Sequence, residues 1–217
     1  LIGSIMILIV VLAAIFADVV APYEYDHADM SKKLLMPCKN FLFGTDDFGR
    51  DAFSRVIYGS RIALRVALLA AAIEIVLGVT IGMLAGYYGG TVDRILSFFA
   101  DLTWSMPPII MSMAVITVLG KGLDNVIIAI AVVSWAQYAR VVRVKTQALK
   151  NMAFVETAMA FNESNAAIML RYILPNIVPS IIVLASLSIP ATITSTTALS
   201  FLGLGAQPPS PDWGLAL

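Results

Sequence analysis

Charge is scarce in this chain. Of its 217 residues only 13% are charged, and 14 acidic side chains balance 14 basic ones. A soluble domain of this size carries about twice that charged fraction. Zero net charge removes the electrostatic case for nucleic-acid binding. Cys38 is the one cysteine, so an internal disulfide and a thiolate metal cluster are both excluded. His27 is the one histidine, and it lies far from any credible nucleophile, so no Ser-His-Asp set exists. No Gly-x-x-x-x-Gly-Lys-Ser/Thr phosphate loop occurs, so nucleotide hydrolysis, if it drives this protein, belongs to another subunit. Asp47-Phe48-Gly49 resembles a kinase triplet in letters only, because the other kinase motifs are missing. No catalytic residue, metal site or cofactor is therefore assigned to the chain. A basic leader region and a small-residue cleavage site are also missing before Val20.

Apolar residues fill the space that charge vacates. They make up 59% of the chain, and the mean hydropathy is +0.89. No charge falls in Leu1 to Ala17 or in Ile173 to Gln207, and only Glu74 interrupts Val66 to Tyr88. Runs of roughly 20 apolar residues cross a hydrocarbon core as helix. The pattern predicts an all-α polytopic membrane protein, with 1–217 forming a single transmembrane domain. Its expected spans are Leu1–Val20, Arg61–Gly86, Arg94–Leu119, Leu123–Val144 and Ile173–Leu202. A polar segment, 21–60, separates the first two, and 61–217 holds the core spans with a loop at 148–172. Gly89-Gly90 and Gly120-Lys121-Gly122 read as tight connections.

Basic residues near the spans set the orientation. Arg140, Arg143, Lys145, Lys150 and Arg171 flank the loop against only Glu156 and Glu163, so that side and the N-terminus are expected in the cytoplasm. Within the second expected span, Gly78, Gly82 and Gly86 recur every four residues, a face suited to close helix packing. Glu74 and Asp101 are costly at membrane depth and must be neutral, paired, or facing water or protein. Both a functional and a packing role stay open for them. Pro107-Pro108 should kink or break the third span. In the last, Ser188, Thr192, Ser195 and Thr196 belong to a hydroxyl-rich stretch beside Pro190. These hydroxyls either line a passage or bond back to carbonyls one turn earlier.

Two stretches outside the spans are patterned. From Phe43 to Gly59 the sequence reads as a short helix capped by Thr45 or Asp46, with Asp51 and Arg55 placed to pair and Gly59 to terminate it. The second stretch, Val155 to Asn176, is partly polar. Phe154, Ala158 and Phe161 share an amphipathic spacing, and Glu156 suits the first turn. Asn162 is suited to a left-handed corner. Ser164 can cap a following helix, and Pro175 marks entry to the next span. Helix, corner, helix is the expected order. A helix this short is unstable alone and must pack on something, whether the membrane surface or a protein.

Glu156-Thr157-Ala158, then Asn162, then Leu174-Pro175 resembles the cytoplasmic Glu-Ala-Ala loop of permease subunits of binding-protein-dependent ABC importers. Thr157 and Asn162 stand where that pattern has alanine and glycine. Gly44-Thr45-Asp46, Gly49-Arg50-Asp51 and Arg55 resemble an extracytoplasmic signature of the dipeptide, oligopeptide and nickel branch. Ala85-Gly-Tyr-Tyr-Gly-Gly90 with Asp93, Ser200 to Gly205, and Gln207 to Gly214 are similar to that branch as well. Together these motifs cover almost the whole chain. Members usually have six spans, and this chain starts without Met and stops where a sixth would begin. A fragment lacking both termini is therefore expected.

The resemblance implies a multi-pass permease in a bacterial or archaeal plasma membrane. Its partners would be a second homologous permease, two cytoplasmic ATPase subunits holding ATP and Mg, an extracytoplasmic binding protein and the bilayer, with no nucleic acid. The 154–163 helix would couple to the ATPase through Phe154, Glu156, Thr157, Ala158, Phe161, Asn162, Leu174 and Pro175. Ser188, Thr192, Ser195 and Thr196 would line the pathway for a di- or oligopeptide or a nickel complex. The competing readings are a stand-alone ion-coupled transporter or channel using Glu74 and Asp101, and a membrane scaffold.

Overall fold

The computed structural model describes residues 2–216, and helix dominates it. Helix α1 is Ile2–Ile15, followed by a further turn at Ala17–Val20. Helices α2 (Ala52–Tyr88), α3 (Gly90–Trp104), α4 (Pro108–Leu119), α5 (Leu123–Lys150), α6 (Ala153–Ala160) and α7 (Asn165–Phe201) follow. Among the described residues the only β pairing is an isolated bridge, Thr45 to Asp51. Three helices, α2, α5 and α7, are long and apolar enough to cross a membrane. The pair α3 and α4 qualifies as a fourth if its halves form one span, and α1 is a shorter apolar helix.

The expected third span is broken rather than kinked, with α3 and α4 bent 93° apart. Pro107 and Pro108 lie at the break, where two adjacent residues have no N–H to continue the helical ladder. The last span starts earlier than Ile173. Helix α7 begins at Asn165 and passes Pro175 without stopping. It does so through a π-helical stretch, Ile168–Ile173. The wider i→i+5 bonding there shifts the ladder just ahead of a residue that cannot donate.

Helix α2 likewise begins at Ala52, not Arg61, and runs straight through Gly59. The expected short helix ending at Gly59 is therefore absent, and Ser60 does not start a new one. Its hydroxyl donates back to the Ile57 carbonyl at 2.6 Å. The cause is tertiary. A Cβ on Gly59 would strike the Trp213 ring, so the missing side chain makes room for an indole rather than for a turn. The cap is Asp51, whose carboxylate accepts from Ser54 N at 2.8 Å.

The chain forms two compact units. One comprises Leu1–Leu68, Ile116–Ile127 and Thr192–Leu217, and the other Leu69–Val115 and Ile128–Ala191. In the second unit α2 lies directly on α5 along the glycine face. A Cβ on Gly78 would meet Tyr138 and the Trp135 carbonyl, and one on Gly82 would meet Val142 and the Ala139 carbonyl. On Gly86 it would meet the Arg143 carbonyl at 2.6 Å and Thr146 Cβ at 2.7 Å. Backbone approach this close is what the four-residue glycine spacing permits. The unit's core joins Met83 and Tyr87 of α2, Tyr138 and Val142 of α5, Val155 and Ala158 of α6, and Ile168, Ile173 and Ile177 of α7.

Candidate coupling segment and loop knot

Helix α6 and the corner after it are built from few residues. Met152 precedes the helix in an extended conformation, and the Val155 and Glu156 N–H groups return to its carbonyl. Val155 is 0% exposed, and Ala158 is buried beside it. These two side chains tether a helix of only eight residues to the core. Its outer surface is apolar as well. Phe154 is 41% exposed and Phe161 80%, with Met159 between them and Glu156 and Thr157 also outward. The spacing of Phe154, Ala158 and Phe161 therefore does not mark one buried face, because Ala158 points in and Phe161 out. Thr157 turns its hydroxyl back to the Ala153 carbonyl at 2.8 Å. Asn162 takes φ +60°, the left-handed corner, and Ser164 Oγ accepts from Ala167 N at 3.2 Å to start α7. Leu174 is half-buried and Pro175 exposed, both in the first turns of α7.

The other patterned stretch folds into a knot held by side chains bonding to backbone. Asp46 accepts from Phe48 N at 2.9 Å, Arg50 N at 3.0 Å and Arg50 Nε at 2.7 Å. Burial acts to raise the Asp46 carboxyl, but the hydrogen bonds from Arg50 and Phe48 outweigh it and hold the group below its ordinary value. Thr45 Oγ1 donates to the Lys32 carbonyl and accepts from Leu35 N at 2.8 Å. Gly49, at φ +73°, runs so close to Asp29 that any Cβ would overlap its carbonyl. Gly44 is tucked against Leu35 in the same way. Asp51 and Arg55 do not pair as their spacing predicts. Asp51 is occupied by Ser54, and Arg55 Nε reaches Asp46 at 3.7 Å. The guanidinium instead donates to three carbonyls, Tyr25 at 3.1 Å, Pro209 at 3.2 Å and Ser210 at 3.1 Å. Arg55 is thus a buried staple joining two loops far apart in sequence.

A family model described as a binding-protein-dependent transport system inner membrane component matches residues 78–217. A second, the N-terminal transmembrane domain of oligopeptide transport permease C, matches residues 1–37. The chain belongs to this family of transport permeases. It is 40% identical to the dipeptide transport system permease protein DppC of Alkalihalophilus pseudofirmus, over 100% of this chain and 71% of that protein. It is 37% identical to the glutathione transport system permease protein GsiD of Pectobacterium atrosepticum, over 99% of this chain and 72% of that one. In fold, 70% of the chain matches 76% of a chain of the inward-facing MetNI methionine ABC transporter, with a TM-score of 0.59 at 19% identity. The family places the permease in the inner membrane and implies an ATPase and a binding protein as partners.

Several polar residues of the permease lie within the apolar helices. Glu74 is 0% exposed, and among the described residues neither carboxylate oxygen has a hydrogen-bond partner. Asp101 pairs with Arg140 at 2.8 Å, and that guanidinium also lies 5.1 Å from the Trp104 ring centroid. An acid already engaged by arginine is a poor cation site, and the family gives no support to an ion-coupled transporter working alone. The hydroxyls of α7 largely bond to their own helix. Thr196 donates to the Thr192 carbonyl at 2.9 Å, and Ser188 to that of Ala185 at 3.2 Å. With that proton committed, Ser188 Oγ accepts from Tyr138 Oη at 2.6 Å. Thr192 and Thr196 are buried and Ser195 is half-buried.

Sequence reasoning missed three parts of the permease. Asp93 engages Arg143 through both carboxylate oxygens and also accepts from Ser97 and Gln147, tying α3 to α5. Tyr87 and Lys150 form a link next to the coupling segment. Trp213 donates to the Val56 carbonyl at 3.1 Å. In each case the partners are at least four residues apart and mostly dozens, beyond the reach of periodicity. The one available signal was the acid–base complementarity of Asp93 and Arg143.

Proposed function

We propose that the permease forms the translocation pathway of an ATP-driven importer and carries a small peptide-like solute. An external binding protein delivers the solute, and α6 is the lever that receives work from the ATPase. The observation that carries this reading is the two-sidedness of α6. Val155 and Ala158 root the helix, while Phe154, Glu156, Met159 and Phe161 stand outward on a helix too short to hold itself. Phenylalanine and methionine, both exposed here, are enriched at protein interface centres, with charge at the rim. The names of the relatives, dipeptide and glutathione permeases, support a short peptide as the solute.

On this reading α6 faces the cytoplasm and the 21–60 segment lies outside. The complex holds a second related permease and two ATPase subunits, and ATP and Mg bind there rather than here. Closure of the ATPase pair would push on α6 and rock the spans between inward- and outward-open states. Ser188, Thr192, Ser195 and Thr196 remain candidates for the pathway wall; the hydroxyls of Ser188 and Thr196 bond back to their own helix, and a back-bonded hydroxyl keeps a lone pair for a passing solute.

Substitution Glu156→Lys tests the lever. Glu156 is exposed, so the helices should stay folded. Reversal of its charge should cut ATP-driven uptake in reconstituted vesicles about tenfold, or release the ATPase during purification. Full uptake with the ATPase retained would remove the coupling role. Identifying what the companion binding protein holds would test the solute.

A further inference from the structure

Tyr87 sits in the last turn of α2 with its ring in the core beside Val155, Ala158 and Ile168. Its polar groups point to two different helices. The hydroxyl bonds Asn165 Oδ1 at 2.9 Å, and Asn165 is the first residue of α7. The Tyr87 carbonyl accepts from Lys150 Nζ at 2.7 Å, and Lys150 is the last residue of α5. The same ammonium lies 5.3 Å from the Tyr87 ring centroid. The coupling segment runs from Lys150 through α6 and the Asn162 corner to Asn165. Both of its ends are therefore pinned to one residue.

We infer that Tyr87 is the strut through which a displacement of α6 enters α2. It is a positioning residue rather than one that touches solute. This inference rests on the coupling reading of α6. The need for a strut is physical. Val155 and Ala158 hold α6 by apolar contact, which is non-directional and resists sliding poorly. Directional hydrogen bonds fix register, so the two bonds of Tyr87 turn a greasy seat into a linkage. Asn165 at the mouth of α7 and Lys150 at the foot of α5 then move with α2 when the lever is pushed.

The experiment uses the full importer complex in vesicles, with dialanine and glutathione as separate probes supplied with the binding protein. Solute imported per ATP hydrolysed is the readout, because a merely destabilised permease would lower both together. Tyr87→Phe keeps the ring and removes one bond, and it should lower that ratio about fivefold. Asn165→Ala removes the same bond from an exposed corner and serves if the core variant assembles poorly. It should lower the ratio equally, and the double variant should be no worse than either. Asn165→Asp keeps the acceptor and should restore the ratio. An unchanged ratio in both single variants, with wild-type uptake intact, overturns the strut alone. Full uptake by the Glu156→Lys complex with the ATPase retained overturns the reading beneath it.

Discussion

The loop knot and the coupling segment solve opposite problems with similar lengths of chain. Between Asp29 and Asp51 the backbone is mostly irregular, and side chains bonding to main-chain groups reinforce its backbone turns. Thr45, Asp46, Asp51 and Arg55 each do so. The coupling segment has regular helix on both sides of its corner and few such bonds. Two buried apolar side chains seat it, and its outer face carries exposed phenylalanines. The first region is wired chiefly by its own polar groups, although it too exposes apolar side chains, Leu34, Met36, Phe43 and Phe48 among them. The second is stable enough to keep its shape yet leaves its best contact surface unspent. If α6 is pushed by a partner, as proposed, it has reason to be built that way.

The contrast breaks first at Arg55. Removing it in Arg55→Ala leaves the carbonyls of Tyr25, Pro209 and Ser210 without their donor, at residues that are half-buried or exposed. Loss of hydrogen bonds from a charged donor of this kind costs about 1.5–3 kcal/mol. Thermal unfolding and proteolysis of the 21–60 segment should both show it. Arg55→Lys should recover little, because one ammonium cannot span three carbonyls in a fixed plane. If Arg55→Ala unfolds no earlier than wild type, the knot is not held by its staple.

Acid should loosen the knot before it touches α6. A hydrogen bond from Lys32, with further ones from Ser31, lowers the Asp29 carboxyl to about 2 from its usual 3.8. Asp46 is also held low. A carboxylate with a depressed native value contributes stability that is fully present above the unfolded value. That contribution fades as pH falls through the native one, so the window for Asp29 runs from 3.8 down to about 2. Amide exchange in residues 29–51 should rise across that window, by less than Arg55→Ala raises it. Exchange in 155–158 should stay flat, since that stretch is seated by apolar contacts. Equal acceleration in both stretches would erase the distinction.

Three of the five expected spans and the corner were legible because each is written locally; the first is a shorter apolar helix and the third is broken. Apolar runs of membrane length announce helices, a glycine every fourth residue announces a packing face, and an asparagine between two helix patterns announces a left-handed turn. The knot was legible only as a motif, and its wiring was not. Gly59 reads as a terminator until Trp213 is seen against it. Arg55 reads as the partner of Asp51 until its carbonyls arrive from Tyr25, Pro209 and Ser210. Pro175 reads as a boundary until a π turn carries the helix past it. Periodicity reports neighbours three or four residues away, and each of these three outcomes was decided by something outside that range or by a ladder shift that composition does not encode.

Phe161 offers the smallest effect on the fold and the sharpest test of why α6 looks unfinished. At 80% exposure its ring holds little of the permease together, so Phe161→Ser should change unfolding by about 0.5 kcal/mol or less. If the outer face of α6 is a docking surface, the same change should weaken association with the ATPase by about 2 kcal/mol, which pull-down at graded concentration would read. A permease that unfolds sooner would mean the ring packs on its own chain. One that is unaffected in both measurements would leave the exposed apolar face of α6 to the lipid surface instead.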